Sequence, residues 1–97
     1  MRRAAKRDDN NAEILDALRD IPGVVVADTG SLGGGFPDLV VGFRGVIHML
    51  EIKDGSKPPS KRKLTPDEVK FFSDWAGFPV HVVASFDQAL RAIQGVR

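Results

Sequence analysis

The chain contains no cysteine. Disulfides and thiolate-bound metals are therefore excluded, and the composition is compatible with a reducing cytosol. No run approaches the roughly 18 consecutive apolar residues of a membrane span. The N-terminus is basic but no apolar stretch follows it, so it does not read as a secretory signal. Zinc-type ligand spacing is missing. Ser31, Ser56 and Ser60 have no Ser–His–Asp context, which argues against a serine hydrolase. Gly30, Gly33, Gly34 and Gly35 are followed by Phe36-Pro37, where a phosphate-cradling loop needs Lys and Ser/Thr. The dinucleotide-binding spacing is absent too. Those glycines read instead as a sharp turn or a close approach of the backbone to a ligand.

What is present fits one small domain. The 97 residues are 42% hydrophobic and 28% charged, the balance of an ordinary globular protein. So short a chain buries a modest core, and self-association is a plausible source of extra stability. The net charge is only +1, but it is unevenly spread. Arg2, Arg3, Lys6 and Arg7 crowd a tail over residues 1–9 that is expected to be flexible. Lys53, Lys57, Lys61, Arg62 and Lys63 crowd a second segment, opposed only by Asp54. Such clusters either neutralise phosphates or are simply solvated.

Periodicity predicts the elements in order. Ile14, Leu15 and Leu18 form one apolar face of a helix over about residues 11–20, with Asn10 and Glu13 at capping-box spacing. Val24-Val25-Val26-Ala27 reads as a buried strand. Residues 38–43 and 46–53 read as two strands joined by a tight turn at Arg44-Gly45. Residues 54–63 form a polar loop. Thr65-Pro66-Asp67-Glu68 is a strong helix start, and that helix is expected to bury Val69, Phe72, Trp75 and Ala76. A strand over residues 80–83 follows, then a helix capped by Ser85 and Gln88, with Ala89, Leu90 and Ile93 inward. The order is α-β-β-β-α-β-α. A strand returning through a helix implies a crossover, so the fold class is α/β: a mixed sheet flanked by helices.

The residues with chemical potential converge on the hairpin. A two-residue turn pairs Phe43 with Val46 and sets Asp38 across from Glu51, with β-carbons about 5 Å apart. Side chains alternate along a strand, so Glu51 and Lys53 share a face and His48 takes the other. Two carboxylates that close repel, and Lys53 is one charge for two. A divalent metal held by Asp38, Glu51 and the Ile52 carbonyl resolves the conflict, and such an ion activates water and clamps a phosphate. The plainer alternative is a structural acidic cluster with Lys53 in a surface salt bridge. His48 reads as packed, and His81 has no acidic or histidine partner nearby in sequence. Trp75, Phe71 and Phe72 could stack on bases, though their helical spacing favours core packing.

Pro37-Asp38 followed by Glu51-Ile52-Lys53 resembles the motif of the PD-(D/E)XK nuclease superfamily. The flanking segments are similar to one branch of it: Arg7-Asp8-Asp9-Asn10 leading into Glu13-Ile14, Glu51-Ile52-Lys53-Asp54-Gly55, and Lys63-Leu64-Thr65-Pro66. They resemble the virus-type replication-repair nucleases, the VRR-NUC family, over nearly the whole chain. The resemblance implies a single restriction-endonuclease-like domain over residues 10–97, standing alone. It implies Mg²⁺- or Mn²⁺-dependent DNA cleavage at four-way junctions or other branched DNA, by a homodimer in a phage or bacterial cytoplasm. It assigns Asp38 and Glu51 as metal ligands, Lys53 as the catalytic lysine, and Glu13 as a further carboxylate at the metal. The local reading of Glu13 is the humbler one, the partner of Asn10 in a capping box. The family carries Gln where this chain has Glu68, which either adds a carboxylate to the site or only caps its helix against Thr65. Arg2, Arg3, Arg7, Lys57, Lys61, Arg62 and Lys63 would hold the DNA backbone. The competing readings are a DNA-binding module without cleavage and a small interaction protein.

Overall fold

The computed structural model describes residues 10–95. The expected basic tail over residues 1–9, with Arg2, Arg3, Lys6 and Arg7, lies outside them. The elements are α1 (Asn11–Arg19), β1 (Val24–Asp28), β2 (Leu39–Phe43), β3 (Val46–Ile52), a 3₁₀ turn (Pro59–Lys61), α2 (Pro66–Asp74), β4 (Val80–Val83) and α3 (Phe86–Gln94). Their order is the one the sequence predicts. The sheet runs β1-β2-β3-β4. Its first two pairings are antiparallel and β3 pairs with β4 in parallel. The result is a mixed sheet, with α2 on the crossover between β3 and β4.

The β2–β3 hairpin sets the register for everything else. Arg44 and Gly45 both take positive φ, 53° and 79°, the pair of values that a two-residue type I′ turn demands. Phe43 therefore pairs with Val46, and Leu39 with Leu50. Strand alternation then turns Leu39, Val41, Phe43, Leu50 and Ile52 to one face. There they meet Ile14, Leu15 and Leu18 of α1, Val83 of β4, and Ala89 and Ile93 of α3 in one continuous core. Leu18, Leu39, Val41 and Leu50 are wholly enclosed. Truncating such a side chain to alanine costs about 2–5 kcal/mol.

Local expectations meet three corrections. β1 is an edge strand, not a buried one: Val25 is 70% exposed and only Val24 and Val26 turn inward. Hydrophobicity alone cannot tell an edge from a centre, because burial depends on the order of strands in the sheet. Secondly, α2 buries none of its residues. Val69, Trp75 and Ala76 are exposed, and Phe71 and Phe72 are half-buried. Thirdly, Asn10 does not cap α1. Its φ/ψ of −83°/2° is not that of a typical cap and its side chain makes no capping bond, so no capping box with Glu13 forms. The Asn10 amide reaches further, donating from Nδ2 to the carbonyls of Lys53 (3.3 Å) and Ala84 (3.0 Å). The capping box at Thr65 and Glu68 is fully formed. Ser85 accepts the Gln88 N–H at 3.1 Å, while Gln88 Oε1 takes the Ala84 N–H.

Candidate active site

The ladder between β2 and β3 ends at Leu39 and Leu50. One step beyond it, the same register sets Asp38 opposite Glu51. The Ile52 N–H points toward β2 where that strand has run out, and Asp38 supplies the missing acceptor through Oδ2 at 2.8 Å. Thr29 fixes the segment from the other side. Its hydroxyl donates to the Pro37 carbonyl at 2.7 Å and its N–H to the Asp38 carbonyl at 2.9 Å. Asp38 is thus held by backbone on two sides.

Glu51 follows on the central strand β3 and is 4% exposed. Its Oε1 is buried with no hydrogen-bond partner among the described residues, and its Oε2 lies 3.5 Å from Lys53 Nζ. Burial, then the neighbouring Asp38 and Glu68 carboxylates, push its carboxyl up to about 9. A carboxyl so placed is protonated at neutral pH unless a cation joins it.

Lys53 has a fixed backbone. Its N–H donates to the Val83 carbonyl at 2.9 Å, and its own carbonyl accepts from Asn10. Its ammonium reaches Glu68 Oε1 at 2.9 Å. That same oxygen accepts the Thr65 N–H at 2.9 Å. Glu68 therefore caps α2 and contacts the lysine at once, so the two roles weighed for it are not exclusive. Burial pushes its carboxyl up, but Lys53 and the Thr65 N–H outweigh that and hold it below the usual range.

The glycine-rich loop brings α2 to this end of the sheet. Gly35 has φ of 85°, and a methyl there would overlap the Asp67 carbonyl in the first turn of α2. The close approach expected of the loop is thus to protein backbone. In the loop over residues 54–63, Asp54 Oδ1 accepts the Ser56 N–H (2.9 Å) and hydroxyl (2.7 Å). Arg62 Nε donates to the Lys57 carbonyl at 2.7 Å, so Arg62 braces the loop, while Lys61 and Lys63 are exposed.

Glu13 is exposed on α1. Among the described residues no three histidines or carboxylates gather into a metal-holding group, so the structure does not draw Glu13 in beside Asp38 and Glu51. Asp38 and the orphaned Glu51 oxygen nonetheless offer carboxylate donors only, the kind that Mg²⁺ or Mn²⁺ accepts while keeping several waters.

Three contributors escaped the sequence. Asn10 and Thr29 act through tertiary contacts that no local spacing signals. His81 does have a partner: its Nε2 lies 3.3 Å from His48 Nδ1 across β3 and β4. Burial lowers both imidazoles, and His81 lowers His48 further. As expected, His48 is buried on the face away from Glu51. A cavity of about 480 Å³ beside these histidines is walled by Phe43, Val46, Pro79 and Ile93. It opens on the face of β3 that carries His48, opposite the face that carries Glu51. Depth is a weaker guide here than chemistry, because a polymer substrate is met by a ridge or shallow cleft as readily as by a pocket.

A mixed four-stranded sheet, the α-β-β-β-α-β-α order, and two carboxylates with a lysine at the end of its central hairpin define a restriction-endonuclease-like domain. A solved structure titled "VRR_NUC domain" is similar to this chain, with 30% identity and a TM-score of 0.58 over 90% of this chain and 89% of that one. The chain belongs to the VRR-NUC family. No family model matches its sequence, and no curated protein does. Among the described residues no helix is long and apolar enough to cross a membrane.

Proposed function

We propose that the chain is a metal-dependent DNA endonuclease that hydrolyses phosphodiester bonds, with Asp38, Glu51 and Lys53 as its working residues. The observation that carries this reading is the buried Glu51 carboxylate opposite Asp38, with one oxygen lacking a hydrogen-bond partner among the described residues and Lys53 on the same face. Asp38, Glu51 and the Ile52 carbonyl would hold Mg²⁺ or Mn²⁺. Such an ion, when bound, lowers the pKa of its water and stabilises charge on a phosphate. Asp38 is oriented for this by the Ile52 N–H, and Lys53 by Glu68. Lys53 contacts the scissile phosphate and stabilises the charge that grows on it. Lys57, Lys61, Arg62 and Lys63, with Arg2, Arg3 and Arg7, neutralise backbone phosphates, so binding weakens steeply with salt.

Family membership supports DNA as the substrate and branched DNA, four-way junctions first, as its preferred form. It also supports a homodimer acting in a phage-infected or bacterial cytoplasm. The bare end of the sheet gives a second copy something to cover: Val25, Val46 and Ile47 stand exposed there at 70%, 43% and 65%. Labelled junction and linear DNA incubated with Mg²⁺, with Mn²⁺ and with EDTA test the reading. Cleavage with either ion and none with EDTA is expected. Cleavage indifferent to chelation would overturn the metal site, and DNA binding with no cleavage under any ion would leave a binding module.

A further inference from the structure

Four aromatic rings run in series from the candidate active site along α2 to the start of β4. Phe36, two residues before Asp38, meets Phe71 edge-on at 5.3 Å. Phe71 stacks on Trp75 at 5.3 Å with planes 9° apart, and Trp75 meets Phe78 at 5.5 Å. The helical spacing of these rings favours a core role, but the outer two are not in the core. Trp75 is 39% exposed and Phe78 61%. On β4, exposed Val82 is the register partner of Glu51.

We propose that Trp75 and Phe78 form a stacking platform for unpaired bases of a nucleic-acid strand whose backbone passes Asp38, Glu51 and Lys53. The proposal rests on the nuclease reading for its choice of ligand. Two features favour bases over a second copy of the chain. The platform is continuous with the site: α2 carries Glu68, bonded to Lys53, at one end and Trp75 just past the other. Exposed Lys61 and Lys63 immediately precede the same helix, so phosphate-neutralising charge stands before its start and the exposed π-faces stand past its end. Aromatic faces accept any base, which gives affinity for unpaired strand without sequence preference. A continuous duplex keeps its bases stacked on each other and cannot use the platform. Forks and flaps, which carry unpaired strand, can.

Trp75 is the sole tryptophan, so its fluorescence reports on the platform alone. The wild-type protein is titrated in EDTA with a short oligothymidylate and with an abasic backbone of equal length. Saturable quenching by the oligothymidylate, and little by the abasic strand, is expected. Phe78→Ala should weaken oligothymidylate binding roughly ten-fold. Trp75→Phe should bind, by anisotropy, within a few-fold of wild type, whereas Trp75→Ala should not. Equal affinity for both strands without quenching overturns the proposal. So does Trp75 emission that shifts with protein concentration alone, in step with dimer formation by sedimentation, since a second copy then covers the rings. Cleavage is scored separately. Quenching with no cleavage fails only the nuclease reading, and cleavage with no quenching fails only the platform.

Discussion

Lys53 and Glu68 are joined through one oxygen that also accepts the Thr65 N–H, at 2.9 Å for each contact. The helix that crosses from β3 to β4 is thereby capped and fastened to the candidate lysine by a single side chain. Glu68→Ala should lower stability by about 1–2 kcal/mol, since it removes half of a capping box and a partner of a half-buried ammonium. Glu68→Gln, which can still close the box, should recover most of the loss. Urea midpoints for the three proteins check the ordering, and identical midpoints would contradict it.

Glu51 makes stability depend on pH in a definite direction. Its folded carboxyl is raised from 4.5 to about 9, so between those values the native state binds more protons than the unfolded one. Stability therefore falls as pH rises through that window. Without divalent ions the wild type should lose stability from pH 5 to 9, and Glu51→Gln should flatten the slope. Uptake of Mg²⁺ at neutral pH should release a proton. Calorimetry in two buffers of different ionisation heat reads it directly, and a proton count of zero would contradict a protonated Glu51 in the metal-free protein.

Asn10 joins the start of α1 to the ends of β3 and β4. Asn10→Ala leaves the Lys53 and Ala84 carbonyls without that donor and should cost about 1–3 kcal/mol. In a domain of this size that is a Tm drop of several degrees. A variant melting with the wild type would mean that water replaces the amide without penalty.

The three glycines before Phe36 are not equivalent. All have positive φ, but a methyl at Gly33 or Gly34 meets nothing within 4 Å, while one at Gly35 overlaps the Asp67 carbonyl. Alanine at Gly33 or Gly34 should cost only the backbone strain of about 1 kcal/mol. Alanine at Gly35 should cost clearly more and displace α2 from Lys53. Thermal melts of the three variants give the ranking, and equal losses would contradict the close approach.

The sequence announces those parts of the fold that depend on local rules. Arg44-Gly45 fixes a two-residue turn, the turn fixes the register, and the register places Asp38 against Glu51 and turns His48 away. Thr65 through Glu68 announces a helix start because a capping box is a contiguous pattern. Burial is less legible. The valines of β1 read as a core strand, yet they lie at a sheet edge, and the apolar residues of α2 read as a core stripe, yet the helix buries none of them. Both errors have one cause: period and hydrophobicity report which residues share a face, not whether another element covers it. Asn10 misled because a short polar side chain beside a helix start has local and distant acceptors within reach, and the distant carbonyls win. The partnership of His48 with His81 likewise depends on the parallel pairing of β3 and β4, which no spacing along the chain reveals.

In the proposed reaction Lys53 acts beside Asp38 and Glu51. The most direct test compares initial rates of cleavage of a labelled four-way junction in Mg²⁺ by the wild type and by Lys53→Ala, each first shown to be folded. Loss of a charge that stabilises the transition state predicts a fall of about 100-fold or more in the variant with binding of the junction nearly intact. A variant that cuts at the wild-type rate would contradict the account.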